Sequence, residues 1–200
     1  MLLTLLTLAV FSCGSDSGGG DSGSSSDTTT TTTTASPSAT SHNQGLDCLY
    51  CHVTVFTTGS KQLLIGGTVF KSINVSDIDN VTNTCNASIN VQFLDSSRNV
   101  VYDSLNYIDT ISSVDNGTGN IFILSRKLST LTGEYYMRLV TSDNTTIAQS
   151  SNRHTFTDAY GSSNPTDLFN RYSCNACHTA NPQGGAHGYL YPNVNSSKCY

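Results

Sequence analysis

Two stretches of the chain share one form: Cys48-Leu49-Tyr50-Cys51-His52 and Cys174-Asn175-Ala176-Cys177-His178. Cys-x-x-Cys-His is the pattern by which c-type haem is attached. Two thioether links fix one porphyrin edge, and the residue after the second cysteine sets an imidazole under the iron. The same residues suit other chemistry. Two Cys-x-x-Cys pairs could form a four-thiolate zinc site. A single pair could be a thiol–disulfide couple, but that expects a βαβ setting that this sequence lacks. Chance could give one copy, and is a poor account of two among seven cysteines. A histidine directly after both pairs favours haem. The expectation is therefore two covalently bound haem c groups, with Cys48, Cys51, Cys174 and Cys177 as thioether residues and His52 and His178 as proximal iron ligands.

What fills the sixth iron position separates an electron carrier from an enzyme. The chain has five histidines, so His42, His154 and His187 remain as distal candidates. Each has a plainer alternative as a surface residue, or as a ligand to a haem in a neighbouring subunit. Met137 sits on an alternating face with Tyr135 and Leu139, where core packing is the expected role. Bis-His coordination would leave no vacant site for peroxide or oxygen. The chain reads as an electron-transfer protein with no catalytic residues of its own.

Other parts of the chain must deliver and position these units. Residues 1–13 begin with an apolar run, "LLTLLTLAVF", too short to span a bilayer and the right length for an export signal. It runs into Ser12-Cys13-Gly14-Ser15, which resembles the lipobox of prokaryotic lipoproteins and implies lipidation of Cys13; a plain secretory signal is the alternative. Residues 14–41 are Gly/Ser/Thr-rich and can bury almost nothing, so they read as a disordered tether with a reach of roughly 30 Å. The expected location is outside the cytoplasm, at the cell surface or on the periplasmic side of a membrane, with membrane attachment through the lipid alone. A net charge of −5 and no Lys/Arg cluster argue against a nucleic-acid partner.

Residues 60–157 alternate with the period of strands. "QLLIGGTVF" is interrupted by Gly66-Gly67, which reads as a break. "SINVQFLD" alternates Ile89, Val91 and Phe93 with polar neighbours, and "VVYDSLNYI", "GNIFILSRKL", "GEYYMRLVTSD" and "TTIAQSSNRHTF" follow between turn residues. Six to seven short strands at this spacing predict a mainly β chain. The module would be an antiparallel β-sandwich, flanked by irregular or short-helical haem-binding segments at 42–59 and 158–200. Once Cys13 and the two motifs are counted, Cys85 and Cys199 are left as a candidate disulfide, within the chain or between chains. Asn-x-Ser/Thr sequons at Asn74, Asn80, Asn86, Asn116, Asn144 and Asn195 are no more than so Asn-, Ser- and Thr-rich a chain produces by chance.

"SHNQGLDCLYCH" (41–52) resembles the opening haem segment of exported multihaem cytochromes from anaerobically respiring prokaryotes, and "SCNACHTANPQGGAHGYLYPN" (173–193) resembles their closing one. The segment between resembles immunoglobulin-like and carboxypeptidase-regulatory-like modules. The resemblance implies iron-dependent electron transport in respiration, with other cytochromes or redox proteins as partners. It also places His42 opposite a haem. Two other functions stay open: a haem peroxidase or reductase with an open iron, and a homo-oligomeric filament that conducts from haem to haem.

Overall fold

The computed structural model describes residues 44–49, 52, 61–108, 119–128, 131–156 and 173–200, all within the compact unit Ala35–Tyr200. The signal and tether, together with Cys13, His42 and Cys51, lie outside the described residues.

The described chain is mainly β, and its sheets are antiparallel. β1 (Leu63–Thr68) pairs with β4 (Asn120–Leu124) in a two-stranded sheet, with Leu63 opposite Leu124 and Thr68 opposite Asn120. A second sheet is built from β2 (Ile89–Leu94), β3 (Val100–Asp103), β5 (Gly133–Thr141), β6 (Thr146–Gln149) and β7 (His154–Phe156). Its order is β3-β2-β5-β6, and β7 also pairs with β5.

Alternation sets which residues face the shared core, while β1 and β2 are covered on their other faces as well. Ile89, Val91 and Phe93 from β2 and Leu139 from β5 meet Leu63, Ile65, Ile121 and Ile123 from the smaller sheet in one hydrophobic core. Phe93 is at the centre of an aromatic cluster, with ring centroids 5.7 Å from Phe156, 6.0 Å from Tyr135 and 6.2 Å from Tyr102. Met137 packs against this core, as its place in the alternation suggested.

Three local readings are revised. Gly66-Gly67 does not break its strand: β1 runs straight through both glycines, with all six of its residues buried. "VVYDSLNYI" is a strand only as far as Asp103. The Asp103 carboxylate then accepts from Leu105 N at 3.0 Å and starts a 3-10 turn over Ser104–Tyr107. "TTIAQSSNRHTF" forms two strands: Ser150 N still donates to Met137 O at 2.8 Å, but Met137 N donates to Ser150 Oγ at 2.9 Å instead of to a backbone carbonyl, and the regular ladder stops there.

The C-terminal segment runs back over the module as a strap. Phe70 N donates to Leu190 O at 2.7 Å, Gln149 N donates to Asn193 Oδ1 at 3.0 Å, and Val194 N donates to Ile147 O at 3.0 Å. A disulfide between Cys85 and Cys199, both fully buried, ties its end to the residues before β2. The strap therefore holds the second Cys-x-x-Cys-His segment onto the β module. Among the described residues no helix is long and apolar enough to cross a membrane.

Candidate functional site

The two motif segments meet on β1. A Cβ on Gly66 would lie 2.6 Å from Cys48 Cβ; a Cβ on Gly67 would lie 2.6 Å from Cys174 Cβ and 3.1 Å from its Sγ. A side chain at either position would force its neighbours to shift. Successive residues of an extended strand look to opposite faces, so β1 takes the first motif at Gly66 and the second at Gly67. The two cysteine Cβ atoms are then confined to within roughly 12 Å of each other, given the 3.8 Å step between adjacent Cα atoms. Residues 126 apart in the chain become neighbours.

Polar groups lock this meeting. The residue before Cys48 binds the residue before Cys174: Ser173 Oγ donates to Asp47 Oδ1 at 2.5 Å. Asn175, inside the second motif and buried, donates through Nδ2 to Leu46 O at 2.7 Å and accepts at Oδ1 from Thr68 N at 3.2 Å. Thr68 Oγ1 in turn accepts from Gly45 N at 3.1 Å, so the last residue of β1 bonds to both segments. Ser173 bridges in parallel to Gly66. Cys174–Cys177 forms a single helical turn, α1, closed by His178 N donating to Cys174 O at 2.9 Å.

Both proximal-ligand candidates make the same hydrogen bond. His52 Nδ1 lies 2.6 Å from Lys61 O, and His178 Nδ1 lies 3.0 Å from Gly188 O. A carbonyl only accepts, so Nδ1 carries the proton and the neutral ring has its lone pair on Nε2. That is the tautomer and second contact an iron-ligating imidazole needs. Gly188 suits this role: its φ is +141°, and a Cβ there would lie 2.7 Å from Ile73 Cγ1.

The thiols are in an environment that opposes charge. Burial pushes the Cys48 thiol up to about 12, with the Asp47 carboxylate adding to the rise. Burial likewise pushes the Cys174 thiol up to about 12, with Cys48 and Cys177 adding to it. A thioether sulfur carries no charge, so this environment is compatible with one. With the two Nδ1-protonated histidines and the glycine seats, the donor set fits covalently held haem.

The remaining histidines are separated. His187 is exposed beside a cleft of about 280 Å³ whose lining includes Ile73, Ser76, Thr179, Pro182 and Tyr189. It directly precedes Gly188, whose carbonyl accepts from His178 Nδ1. His154 lies in β7 opposite Tyr135, on the five-stranded sheet, whereas α1 packs on β1 of the other sheet. His42 and Cys51 fall outside the described residues.

Sequence reasoning passed over Asp47, Gly66, Gly67, Thr68, Ser173, Asn175 and the carbonyls of Lys61 and Gly188. One signal was present: glycines inside a β-patterned run can mark a close approach by other chain. The chain matches no protein-family model, no curated protein and no solved structure.

Proposed function

We propose that this chain is an exported dihaem c-type cytochrome that passes single electrons between redox partners outside the cytoplasm. One observation carries the reading: the two Cys-x-x-Cys-His segments, far apart in sequence, meet on consecutive glycines of one buried strand and are hydrogen-bonded to each other. Haem iron supplies one-electron chemistry when bound. The chain's own residues do the rest. Cys48, Cys51, Cys174 and Cys177 hold the two groups, and His52 and His178 present Nε2, oriented by Lys61 O and Gly188 O. Packing both attachment points on β1 keeps them close and stiff. Closeness serves transfer between centres, and stiffness limits the rearrangement that accompanies each change of charge.

The two sheets around their shared core are read as an immunoglobulin-like β-sandwich acting as scaffold. Distal ligation by histidine makes the protein a carrier, with His42 assigned to the first motif's surroundings and His154 and His187 left to be apportioned. Cys13 is the proposed lipid attachment point. Mass spectrometry of the denatured protein, made in a host that matures c-type cytochromes, tests the reading. Two haem masses are expected on the intact chain and one after Cys174→Ala/Cys177→Ala; a chain that carries no haem would refute it.

A further inference from the structure

The carbonyl that orients His178 belongs to a glycine between two anchors of the strap. Before it, Gln183 N donates to Cys177 O at 3.1 Å. After it, Leu190 O accepts from Phe70 N at 2.7 Å, and the Tyr189 ring rests edge-on against Phe70 with centroids 5.0 Å apart. Between these anchors the chain passes through Gly184 and Gly185, both at positive φ, and through the exposed His187. Gly188 itself is at φ +141°, a conformation that L side chains rarely adopt, and its carbonyl lies 3.0 Å from His178 Nδ1. One residue stands over this glycine. A Cβ at Gly188 would lie 2.7 Å from Ile73 Cγ1, 3.4 Å from Ile73 Cδ1 and 3.0 Å from the Ile73 carbonyl oxygen, so the three nearest atoms all belong to Ile73. Ile73 is half-buried, follows β1 in the chain, and borders the cleft beside the strap.

We propose that Ile73 is a positioning residue for the second haem: it braces Gly188 so that the Gly188 carbonyl keeps its bond to His178 Nδ1, and it thereby holds down the potential of that haem. This inference rests on the dihaem reading above. A carbonyl that accepts from the far nitrogen of a ligating imidazole raises the basicity of that ligand. A more basic ligand favours ferric over ferrous iron, and second-shell hydrogen bonding is one of the protein's levers on a haem's potential. A glycine has no side chain with which to fix its own peptide plane. At Gly188 the packing comes from outside, from the γ carbons of Ile73. One run of chain, residues 67–73, thus serves both ends of the second motif: Gly67 seats Cys174, and Ile73 backs the carbonyl that orients His178. The matching carbonyl for His52 belongs to Lys61, so a change at Ile73 acts on the second site and leaves the first as a control.

The test is a spectroelectrochemical titration of the full-length holoprotein and of Ile73→Ala and Ile73→Val. Alanine removes both γ carbons; valine keeps them and loses only Cδ1. The wave missing from Cys174→Ala/Cys177→Ala identifies the second haem. In Ile73→Ala that haem should shift towards the reduced form by roughly two- to tenfold in its equilibrium, or about 20–60 mV for one electron, the scale of one weakened hydrogen bond. The first haem should keep its potential, and Ile73→Val should stay close to the parent. NMR of the reduced holoprotein gives a second readout: the His178 Nδ1–H should exchange faster with solvent in Ile73→Ala than in the parent or in Ile73→Val. Should Ile73→Ala fail to assemble, the parent alone still decides, because proton Overhauser contacts must link His178 Nδ1–H to the Gly188 α protons and these to the Ile73 γ protons. An unchanged second haem, equal shifts at both haems, Ile73→Val behaving as Ile73→Ala, or the absence of those contacts would overturn the proposal while leaving a haem-bearing protein intact. Absence of haem absorption would instead refute the reading beneath it.

Discussion

Gly66→Ala and Gly67→Ala probe the seat of each motif separately. An alanine Cβ at 67 would sit 2.6 Å from Cys174 Cβ; at 66 it would sit 2.6 Å from Cys48 Cβ and 3.3 Å from Leu63 Cδ1. Carbon atoms in contact settle at about 3.5–4.0 Å, so something must yield by roughly 1 Å. The opposing atom in each case is a Cβ bound to its own backbone, and both segments are tied to Thr68, so a simple rotation does not relieve the clash. Restricting the unfolded chain by replacing glycine favours folding by about 0.4–1 kcal/mol. Overpacking opposes it by about 1–3 kcal/mol. Each variant should therefore lose about 1–2 kcal/mol, a fall in Tm of about 2–4 °C per kcal/mol for a chain of this size. Denaturant titration followed by far-ultraviolet circular dichroism measures the loss, and visible spectra report which haem is disturbed. Gly66→Ala should perturb the first haem and Gly67→Ala the second. Alanine variants as stable as the parent, with unchanged spectra, would refute the claim that this glycine pair exists to admit the two cysteines.

The disulfide spans 114 residues, so Cys85→Ser/Cys199→Ser should lower stability by up to about 5 kcal/mol on the chain-entropy account. Denaturant midpoints measure that loss, and the strap that carries Gly188 should loosen with it. Asn175→Ala strands the buried Thr68 N–H, at a cost of about 1–3 kcal/mol, and removes the tie to the Leu46 carbonyl; the same titration checks it. Lys198, with Thr141 and Thr145, holds the Asp143 carboxyl well below the usual carboxylate range. Its contribution is thus fully present above the unfolded value of about 4 and is lost as pH falls below it. Asp143→Asn should flatten the acid limb of a stability-against-pH curve, and an unchanged limb would exclude this group as its source.

The strands of this chain were more legible in its sequence than the meeting of its two motif segments was. Cysteine spacing and the following histidine are local, and strand alternation marked Ile89, Val91, Phe93 and Leu139, all buried, although Leu94 and Val140 show that β2 and the end of β5 are buried on their other faces too. Counting cysteines left Cys85 with Cys199, and the structure joins them. The seat of the motifs was illegible for a physical reason. Gly66-Gly67 has the local signature of a break, and only the arrival of Cys48 and Cys174 from opposite ends of the chain shows that the missing side chains make room. The contacts of Asp47 with Ser173 and of Asn175 with Leu46 span 126 and 129 residues, beyond any periodicity. The carbonyls of Lys61 and Gly188 carry no side-chain signature, so the backbone that orients His52 and His178 could be identified only from the fold.

The most direct test of the central claim is a visible spectrum of the purified protein, oxidised and then reduced. The account predicts a Soret band in both states and a sharp α-band on reduction, with an intensity equivalent to two low-spin c-type haems per chain. A protein with no Soret band would contradict it.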